Sequence, residues 1–470
     1  MTIGTSENPL RVAIIGSGPS GFYAAEALFK SDLTVEVDMY DRLPTPYGLV
    51  RGGVAPDHQK IKSVTKVYDK IAENPNFRFY GNVDIGNDLS HDDLLNHYHQ
   101  IIYAVGAQTD RRLDIPGEDL SGSHAATEFV AWYNGHPDYR ELEFDLSQEA
   151  AIVVGVGNVA MDVARILARS HAELMETDIA DYALEALNKS NIKKIYILGR
   201  RGPAQAAFTN PEIKELGEME DAEIIVDPSE VALDELSQEY LANANDRAAT
   251  RNVEIMTKYS EREPNTSKPK QIILRFLASP VEVIGTDRVE AVKIVKNELY
   301  KDNRGGLRPR ATDQFETISA GLIFRSVGYR GVALAGVPFR EDWGTIPNEM
   351  GRIIVLETKE TVLGEYAVGW IKRGPSGIIG TNKPDSVETV QAMLEDAKAG
   401  KVLSPTSSKA EDVEGLLKSR NIQYVTYADW HILDQLERER GAEVGRMRLK
   451  FTRIEDMLTA LAERKQKITH

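Results

Sequence analysis

Short apolar runs rich in β-branched residues recur along this chain, and two of them lead directly into glycine-rich turns. The run at 11–15 precedes the first turn and the run at 151–154 precedes the second, and residues with helical spacing follow both turns. A strand, a tight glycine turn and a helix are the start of a Rossmann-type βαβ unit. The pattern therefore predicts an α/β chain with two Rossmann-like halves.

Other apolar runs extend this pattern. Strands are predicted at 35–40, 99–105, 194–198 and 319–327, and a pair of antiparallel strands at 271–277 and 289–295 around a turn at 285–287. Strands that alternate with helices are typical of parallel sheets covered on both faces. We therefore expect three-layer domains in which the glycine turns lie at the carboxyl ends of strands.

The first glycine turn has the sequence Gly16-Ser17-Gly18-Pro19-Ser20-Gly21. Glycines at these spacings permit the tight turn, the close approach of a pyrophosphate and the packing of helix on strand. The pyrophosphate then lies at the helix N-terminus, where free N–H groups and the helix dipole favour anions. Asp41 ends the next predicted strand, where a carboxylate accepts hydrogen bonds from a ribose. These features predict a dinucleotide site, which we assign to FAD.

The second glycine turn runs from Gly155 through Gly157 to Ala160, and it differs from the first in the residues that follow its next strand. No acidic residue follows its next strand, where Arg200 and Arg201 stand instead. An acidic residue there would repel a 2′-phosphate, whereas two guanidinium groups can bind it with charge-assisted hydrogen bonds. This site is therefore predicted to take NADP(H). A solvated surface pair of arginines is the alternative interpretation.

Composition and net charge exclude several kinds of partner and redox group. The 470 residues are 42% hydrophobic and 27% charged, as in globular proteins, and the net charge of −16 argues against nucleic-acid partners. The start of the chain has no secretory signal pattern and no apolar run is long enough to insert in a membrane, so a cytoplasmic location is expected. The chain has no cysteine, which excludes a redox-active disulfide or a cysteine-ligated iron–sulfur cluster within it. The sequence carries no signal for an oligomeric state.

Longer motifs carry a family resemblance. Gly48-Leu-Val-Arg51, Gly53-Val-Ala-Pro-Asp-His58 and Gly199-Arg-Arg-Gly-Pro203 resemble segments of the adrenodoxin reductase-like ferredoxin–NADP reductases, and so does the segment from Gly369 to Asn382. The resemblance is strongest to the bacterial, mycobacterial-type members. It implies a discontinuous FAD domain, 1–108 and 326–470, with an NADP domain, 109–325, inserted in it. The last part, 404–470, is predicted to be a helical tail without an assigned role.

The resemblance also implies site residues. FAD contacts are expected at Asp41, Leu49, Val83, Trp370, Gly377, Ile378 and Ile379, in addition to Gly16, Gly18, Ser20 and Gly21 of the first turn. NADP contacts are expected at Arg111, Gly155, Gly157, Asn158, Val159, Ala160, Met161, Arg200, Arg201, Glu212 and Gly377. His58 and Glu215 are expected to pair beside the nicotinamide and the flavin as the catalytic residues. No metal site is expected.

These features predict an NADPH-dependent flavoprotein reductase that passes electrons singly to a ferredoxin-type iron–sulfur protein. Because both proteins would be acidic, docking requires a local basic face, for which Arg247 and Arg251 are candidates. A solvated helix face is the alternative interpretation of this pair. One alternative is an FAD-dependent monooxygenase. Another, of a different class, is a non-catalytic redox sensor that binds NADP(H).

Overall fold

The chain is divided into two compact units in a computed structural model, which describes residues 3–244 and 246–469. Unit 1 consists of Met1–Val54, His58–Thr109 and Tyr329–His470, and unit 2 consists of Ala55–Asp57 and Asp110–Gly328. Met1 and Thr2, the start of the segment examined for a secretory signal, lie outside the described residues. The middle of the chain thus forms a unit that interrupts the other in sequence.

The elements follow in chain order. The first part of the chain contains β1 (Leu10–Ile15), α1 (Pro19–Phe29), β2 (Val35–Asp41), α2 (Leu49–Gly52), α3 (Gln59–Lys62), α4 (Thr65–Ala72), β3 (Phe77–Gly81), α5 (His91–His97), β4 (Gln100–Tyr103) and β5 (Thr109–Asp110). The middle contains β6 (Ser123–Ala125), α6 (Ala126–Tyr133), β7 (Ala150–Val154), α7 (Asn158–Ala168), α8 (His171–Met175), α9 (Asp181–Asn188), β8 (Lys194–Leu198), α10 (Asn210–Gly217), β9 (Ala222–Val226), α11 (Pro228–Val231), α12 (Glu235–Ala244), α13 (Arg247–Ser260), β10 (Lys270–Arg275), β11 (Ala278–Ile284), β12 (Ala291–Lys301), β13 (Leu307–Ser319) and β14 (Leu322–Arg325). The last part contains β15 (Tyr329–Arg330), β16 (Asn348–Glu349), β17 (Arg352–Ile354), β18 (Thr361–Ala367), α14 (Trp370–Arg373), α15 (Asn382–Lys398), α16 (Ala410–Ser419), α17 (Tyr427–Glu443) and α18 (Ile454–Thr469). Short 3₁₀ turns lie at Pro137–Tyr139, Pro203–Gln205 and Ile379–Thr381.

Unit 1 is built on a seven-stranded sheet with the order β16-β17-β18-β4-β1-β2-β3. The strands from β18 to β3 are parallel, and β17 and β16 add an antiparallel edge. Side chains of β1 alternate between two cores, with Val12 and Ile14 in one and Ala13 and Ile15 in the other. The sheet is therefore buried on both faces, as in a three-layer fold.

Unit 2 has the same plan. Its six-stranded sheet, in the order β6-β14-β7-β8-β10-β9, is parallel throughout. Along β7, Ala151 and Val153 belong to one core, and Ala150, Ile152 and Val154 belong to the other. A three-stranded antiparallel sheet, β11-β12-β13, completes the unit. The predicted α/β class, with a second Rossmann-like part inserted in the first, is confirmed.

One predicted strand pair is wrong. The segment predicted at 271–277 is β10, which lies parallel between β8 and β9 in the main sheet of unit 2. The antiparallel partner of β12 is β11, and β13 on its other side was not predicted. An apolar run identifies a strand but not its direction or its neighbour, and the side chains of β13 are almost all solvent-exposed or half-buried.

Candidate nucleotide-binding sites

Each glycine turn lies where the strand order of its sheet reverses. In unit 1, β1 lies between β2 and β4, and in unit 2, β7 lies between β8 and β14. Helices α1 and α7 begin directly after the two turns, at Pro19 and Asn158. In doubly wound sheets this reversal opens a crevice at the carboxyl ends of the strands, and ligands bind there. Both turns therefore lie where a nucleotide could bind.

The three glycines of the first turn are required for different structural reasons. A β-carbon on Gly16, whose φ is +107°, would lie 2.5 Å from the carbonyl oxygen of Ala104, and one on Gly21 would lie 2.4 Å from that of Gly16. A β-carbon on Gly18 would meet no atom within 4 Å. Gly16 and Gly21 are thus required by packing, whereas the space over Gly18 is open at the N-terminus of α1. That combination fits a bound pyrophosphate.

Asp41 ends β2 beside the first turn. One oxygen accepts hydrogen bonds from the backbone N–H of Ser17, at 3.1 Å, and from the Ser17 hydroxyl, and the other accepts from the Leu43 N–H at 2.9 Å. Burial raises the pKa of Asp41 above its ordinary value, although the hydrogen bonds from Ser17 and Leu43 oppose that rise. These bonds hold the carboxylate at the strand end and leave it capacity to accept from a ribose hydroxyl.

The segment from Gly369 onward is held by its own side chains. The Ser376 carbonyl accepts hydrogen bonds from Trp370 Nε1 at 3.2 Å and from Arg373 Nη1 at 2.6 Å. Gly377 has a φ of +83°, and a β-carbon there would lie 2.3 Å from Thr381 Oγ1. In the part of the chain that the structure describes, the N–H groups of Gly377 and Ile378 have no protein acceptor. A fixed loop with free donors fits the polar edge of a flavin.

The other residues predicted to contact FAD differ in exposure. Leu49 and Ile378 are exposed large apolar side chains, 40% and 60% accessible, whereas Val83 and Ser20 are buried. Ile379, in its 3₁₀ turn, packs against a core of unit 1. Exposed apolar side chains on conformationally fixed segments fit contact with a ring system. Any contact from Val83 would have to come through its backbone.

The second turn repeats the steric pattern of the first. Gly155 has a φ of +132°, and a β-carbon there would lie 2.1 Å from the Ser326 carbonyl oxygen. One on Gly157 would meet nothing within 4 Å. Asn158 Oδ1 accepts from the Thr209 N–H at 2.9 Å, which ties the start of α7 to the start of α10. The open face at Gly157 again fits a pyrophosphate.

Arg200 and Arg201 follow β8 as predicted, but their surroundings differ. Arg200 is exposed, whereas Arg201 is half-buried and lines a cavity of about 480 Å³. Gly306, from the connection between β12 and β13, and Arg308, the second residue of β13, line the same cavity. Burial lowers the pKa of Arg201, and the positive charges of Arg200 and Arg308 lower it further. Among the described residues, neither Arg200 nor Arg201 forms an ion pair, so an anion entering here would relieve uncompensated charge.

The buried guanidinium of Arg165 forms ion pairs with the two acidic residues of α10 that were predicted to lie at the site. Arg165 is fully buried in α7 and contacts Asp57 at 2.6 Å, Asp162 at 2.6 Å, Glu212 at 3.0 Å and Glu215 at 3.6 Å. Burial alone would lower the pKa of Arg165, but Asp162, Asp57 and Glu212 raise it well above its ordinary value. Arg165 is therefore a permanent cation that fixes Glu212, which is buried, and the more exposed Glu215.

The remaining predicted residues differ in exposure and in their backbone contacts. His58 is half-buried and precedes α3 in unit 1, and Arg111 is exposed, with its N–H bonded to the Gly328 carbonyl in unit 2. Val159 is half-buried, and Ala160 and Met161 are core residues of unit 2, so only their backbone atoms can face a ligand. Of the docking candidates, Arg247 is exposed but Arg251 is paired with Glu254 at 2.7 Å.

Sequence reasoning missed four charged residues of these sites. Arg165 and Asp162 left a usable signal, because a single arginine within an apolar helix next to a glycine turn requires a partner. Asp57 gives no comparable signal. No sequence pattern indicates Arg308, because it lies in a hairpin more than 100 residues after Arg201.

The two doubly wound units and their glycine turns define the class of the protein. The chain belongs to the pyridine nucleotide-disulphide oxidoreductase family, whose pattern it matches over residues 10–369.

Individual similar proteins place the chain more narrowly within this family. The chain is 45% identical over 459 residues to NADPH-ferredoxin reductase FprA of Mycobacterium tuberculosis, covering 96% of this chain and 98% of that protein. It is 38% identical over 471 residues to the mitochondrial NADPH:adrenodoxin oxidoreductase of Arabidopsis thaliana, covering 97% and 96%. The structure of M. tuberculosis FprA in complex with NADPH matches with a TM-score of 0.90 at 44% identity, covering 97% of this chain and all of that one. The resemblance to adrenodoxin reductase-like ferredoxin–NADP reductases is confirmed.

Two further observations bear on the family name and on membranes. The chain has no cysteine, so it cannot carry the disulphide that gives the family its name. Among the described residues, no helix combines the length and the apolar character needed to cross a bilayer.

Proposed function

We propose that this chain oxidises NADPH and passes the electrons, one at a time, through a bound FAD to a ferredoxin-type iron–sulfur protein. The observation that carries the proposal is the pair of glycine turns at the crevices of two doubly wound sheets, one followed by Asp41 and the other by Arg200 and Arg201. The named relatives are reductases of this kind. The chain is thus an oxidoreductase that uses two nucleotides.

In this proposal unit 1 binds FAD, which supplies the hydride-accepting ring. The open space at Gly18 takes the pyrophosphate, and Asp41 accepts from the adenosine ribose. Leu49 and Ile378 cover the ring, and the N–H groups of Gly377 and Ile378 donate to its pyrimidine edge. Donors fixed before the reaction stabilise negative charge as it develops, at no cost of reorganisation.

Unit 2 binds NADPH in the same proposal. The space at Gly157 takes the pyrophosphate, and Arg201 and Arg200 bind the 2′-phosphate. Arg165 holds Glu212 and Glu215 on one face of α10, which allows them to position the nicotinamide end. His58 pairs with Glu215 there, as the family resemblance implies. Hydride transfer requires alignment of two rings more than proton exchange, so these groups act mainly by orientation.

The electron acceptor is a separate protein in this proposal, because the chain offers no thiolate for an iron–sulfur cluster. Many ferredoxins are acidic, and this chain carries a net charge of −16. Docking therefore depends on a local positive face, to which the exposed Arg247 contributes more than the paired Arg251. A cytoplasmic location is part of the proposal.

Salt dependence tests the acceptor. Flavin reoxidation by a ferredoxin and by a small neutral quinone should be followed by stopped flow from roughly 10 mM to 0.5 M salt, which spans Debye lengths from about 30 Å to a few Å. We expect ferredoxin reduction to fall as salt screens the docking pairs, whereas the quinone rate stays nearly constant. Identical salt profiles, or no reoxidation by any ferredoxin, would contradict the carrier-protein proposal and favour the monooxygenase alternative.

A further inference from the structure

The C-terminal helices, which the sequence left without a role, contact a short loop beside the first glycine turn. The loop, residues 47–52, runs from Tyr47 through α2. We infer that α17 holds this loop against the FAD site and that Glu437 is the positioning residue that fixes it. The inference rests on the proposed function only in placing FAD at the first glycine turn.

The inner side of the loop lies directly on the glycine turn. The N–H of Tyr47 donates to the Ser17 carbonyl at 3.0 Å, and a β-carbon on Gly48 would lie 3.1 Å from the Cα of Gly18. Tyr47 has a φ of +85°, a left-handed conformation that a tyrosine adopts only when its surroundings impose it. The loop is thus held in a strained shape over the place proposed for the pyrophosphate.

The outer side of the loop is bound by α17. The hydroxyl of Tyr47 donates to Asp69 at 2.6 Å and accepts from Trp430 Nε1 at 3.1 Å. Tyr427 donates to the same Asp69 oxygen at 2.7 Å. Tyr47 and Trp430 are both almost completely buried, so these polar groups lose much if they separate. This contact holds the strained residue in place.

Glu437 provides the charged contact. Arg51 approaches it as a fork, with Nη2 at 2.5 Å from Oε1 and Nη1 at 3.0 Å from Oε2. Arg448 Nη1 donates to Oε2 at 2.9 Å, and the Phe451 N–H donates to Oε1 at 2.9 Å. Four donors occupy the four acceptor positions of one carboxylate. Arg51 also lies over the Trp430 ring, 5.1 Å from its centre.

The negative charge of Glu437 is essential to its contacts with Arg51, Arg448 and the Phe451 N–H. Its side chain is fully buried, and burial alone would raise its pKa, but Arg51 and then Arg448 and the Phe451 N–H lower it below the ordinary value. Glutamine has the same shape but presents an N–H₂ group where two donors converge. Glu437→Gln should therefore release Arg51, and with it the support of the loop, while leaving α17 otherwise intact.

The test measures flavin release from the purified holoenzyme. Each protein is diluted to nanomolar concentration, and the rise in free-flavin fluorescence gives the dissociation rate; visible circular dichroism reports the surroundings of the bound flavin. We expect Glu437→Gln to release flavin at least ten times faster than the unmodified protein and to alter the dichroism. Glu443→Gln, the same change at an exposed position of α17, should release it at the unmodified rate.

A second variant and a stability measurement complete the test. Trp430→Phe keeps an aromatic ring beneath Arg51 and removes the N–H that donates to Tyr47, so it should also speed release, by a few-fold; it decides the outcome if Glu437→Gln yields no folded holoenzyme. Urea unfolding separates general destabilisation from loop release. Unchanged release and dichroism in the folded variants, or equal effects in Glu443→Gln, overturn the inference. Unmodified protein that binds no flavin contradicts the proposed function instead.

Discussion

Arg201, rather than Arg200, should carry most of the preference for NADPH over NADH. Arg201 is half-buried, lines the cavity and has no ion-pair partner among the described residues, whereas Arg200 is exposed. A charge-assisted hydrogen bond contributes about 1.5–3 kcal/mol when it is protected from water, so Arg201→Ala should weaken NADPH binding about 12- to 140-fold. An exposed charged contact contributes about 0.2–1 kcal/mol, so Arg200→Ala should weaken it only about 1.4- to 5-fold.

Steady-state kinetics with both nucleotides measure this difference. The loss should be seen in KM for NADPH, with KM for NADH nearly unchanged, because NADH has no 2′-phosphate. Arg308→Ala should also raise KM for NADPH, since Arg308 lines the same cavity. Arg310→Ala is the matched control, because Arg310 is exposed and ion-paired like Arg308 but is not among the described residues that line the cavity. Equal effects of Arg200→Ala and Arg201→Ala, or equal losses for NADPH and NADH, would refute this reasoning.

Three other predictions test separate parts of the structure. Asp41→Ala should weaken FAD binding about 5- to 140-fold, measured as flavin content and dissociation constant, because a ribose hydroxyl loses its acceptor; full retention would contradict the assignment. Gly157→Ala should leave the urea unfolding midpoint unchanged but raise KM for NADPH, whereas Gly155→Ala should lower the midpoint, because its β-carbon would lie 2.1 Å from a carbonyl oxygen. The hydrogen bond between His91 and Glu365, 2.9 Å long, raises the pKa of His91 in the folded protein above 6.5. The pair therefore stabilises the fold fully below pH 6.5, and this stabilisation is lost as the pH rises through the pKa of His91 in the folded protein. Unfolding free energy should therefore fall over that range in the unmodified protein and stay flatter in His91→Gln; parallel pH profiles would count against this.

The sequence predicted best what is determined locally. The strand, glycine turn and helix around Gly16 and Gly155 are contiguous, and Asp41 follows from the end of the next strand. Such features depend on backbone sterics and helix termini, which a short stretch of sequence specifies.

Contacts between distant parts of the chain could not be predicted in this way. Arg51 and Glu437 are 386 positions apart, and nothing in either local pattern indicates the pair. Strand β10 carries an apolar pattern equally compatible with a parallel or an antiparallel neighbour, which is why its pairing was mispredicted. Arg200 and Arg201 are adjacent in sequence, and what distinguishes them is the burial of Arg201 at a cavity that distant residues such as Tyr240 and Arg308 also line.

The central claim is that electrons pass from NADPH through a flavin held by this chain, and an anaerobic visible spectrum tests it most directly. The purified protein should show the near-ultraviolet and the blue absorption bands of an oxidised flavin. One equivalent of NADPH should bleach the longer-wavelength band, and subsequent addition of oxidised ferredoxin should restore it. Protein without flavin bands, or bands that NADPH leaves unchanged, would contradict the account.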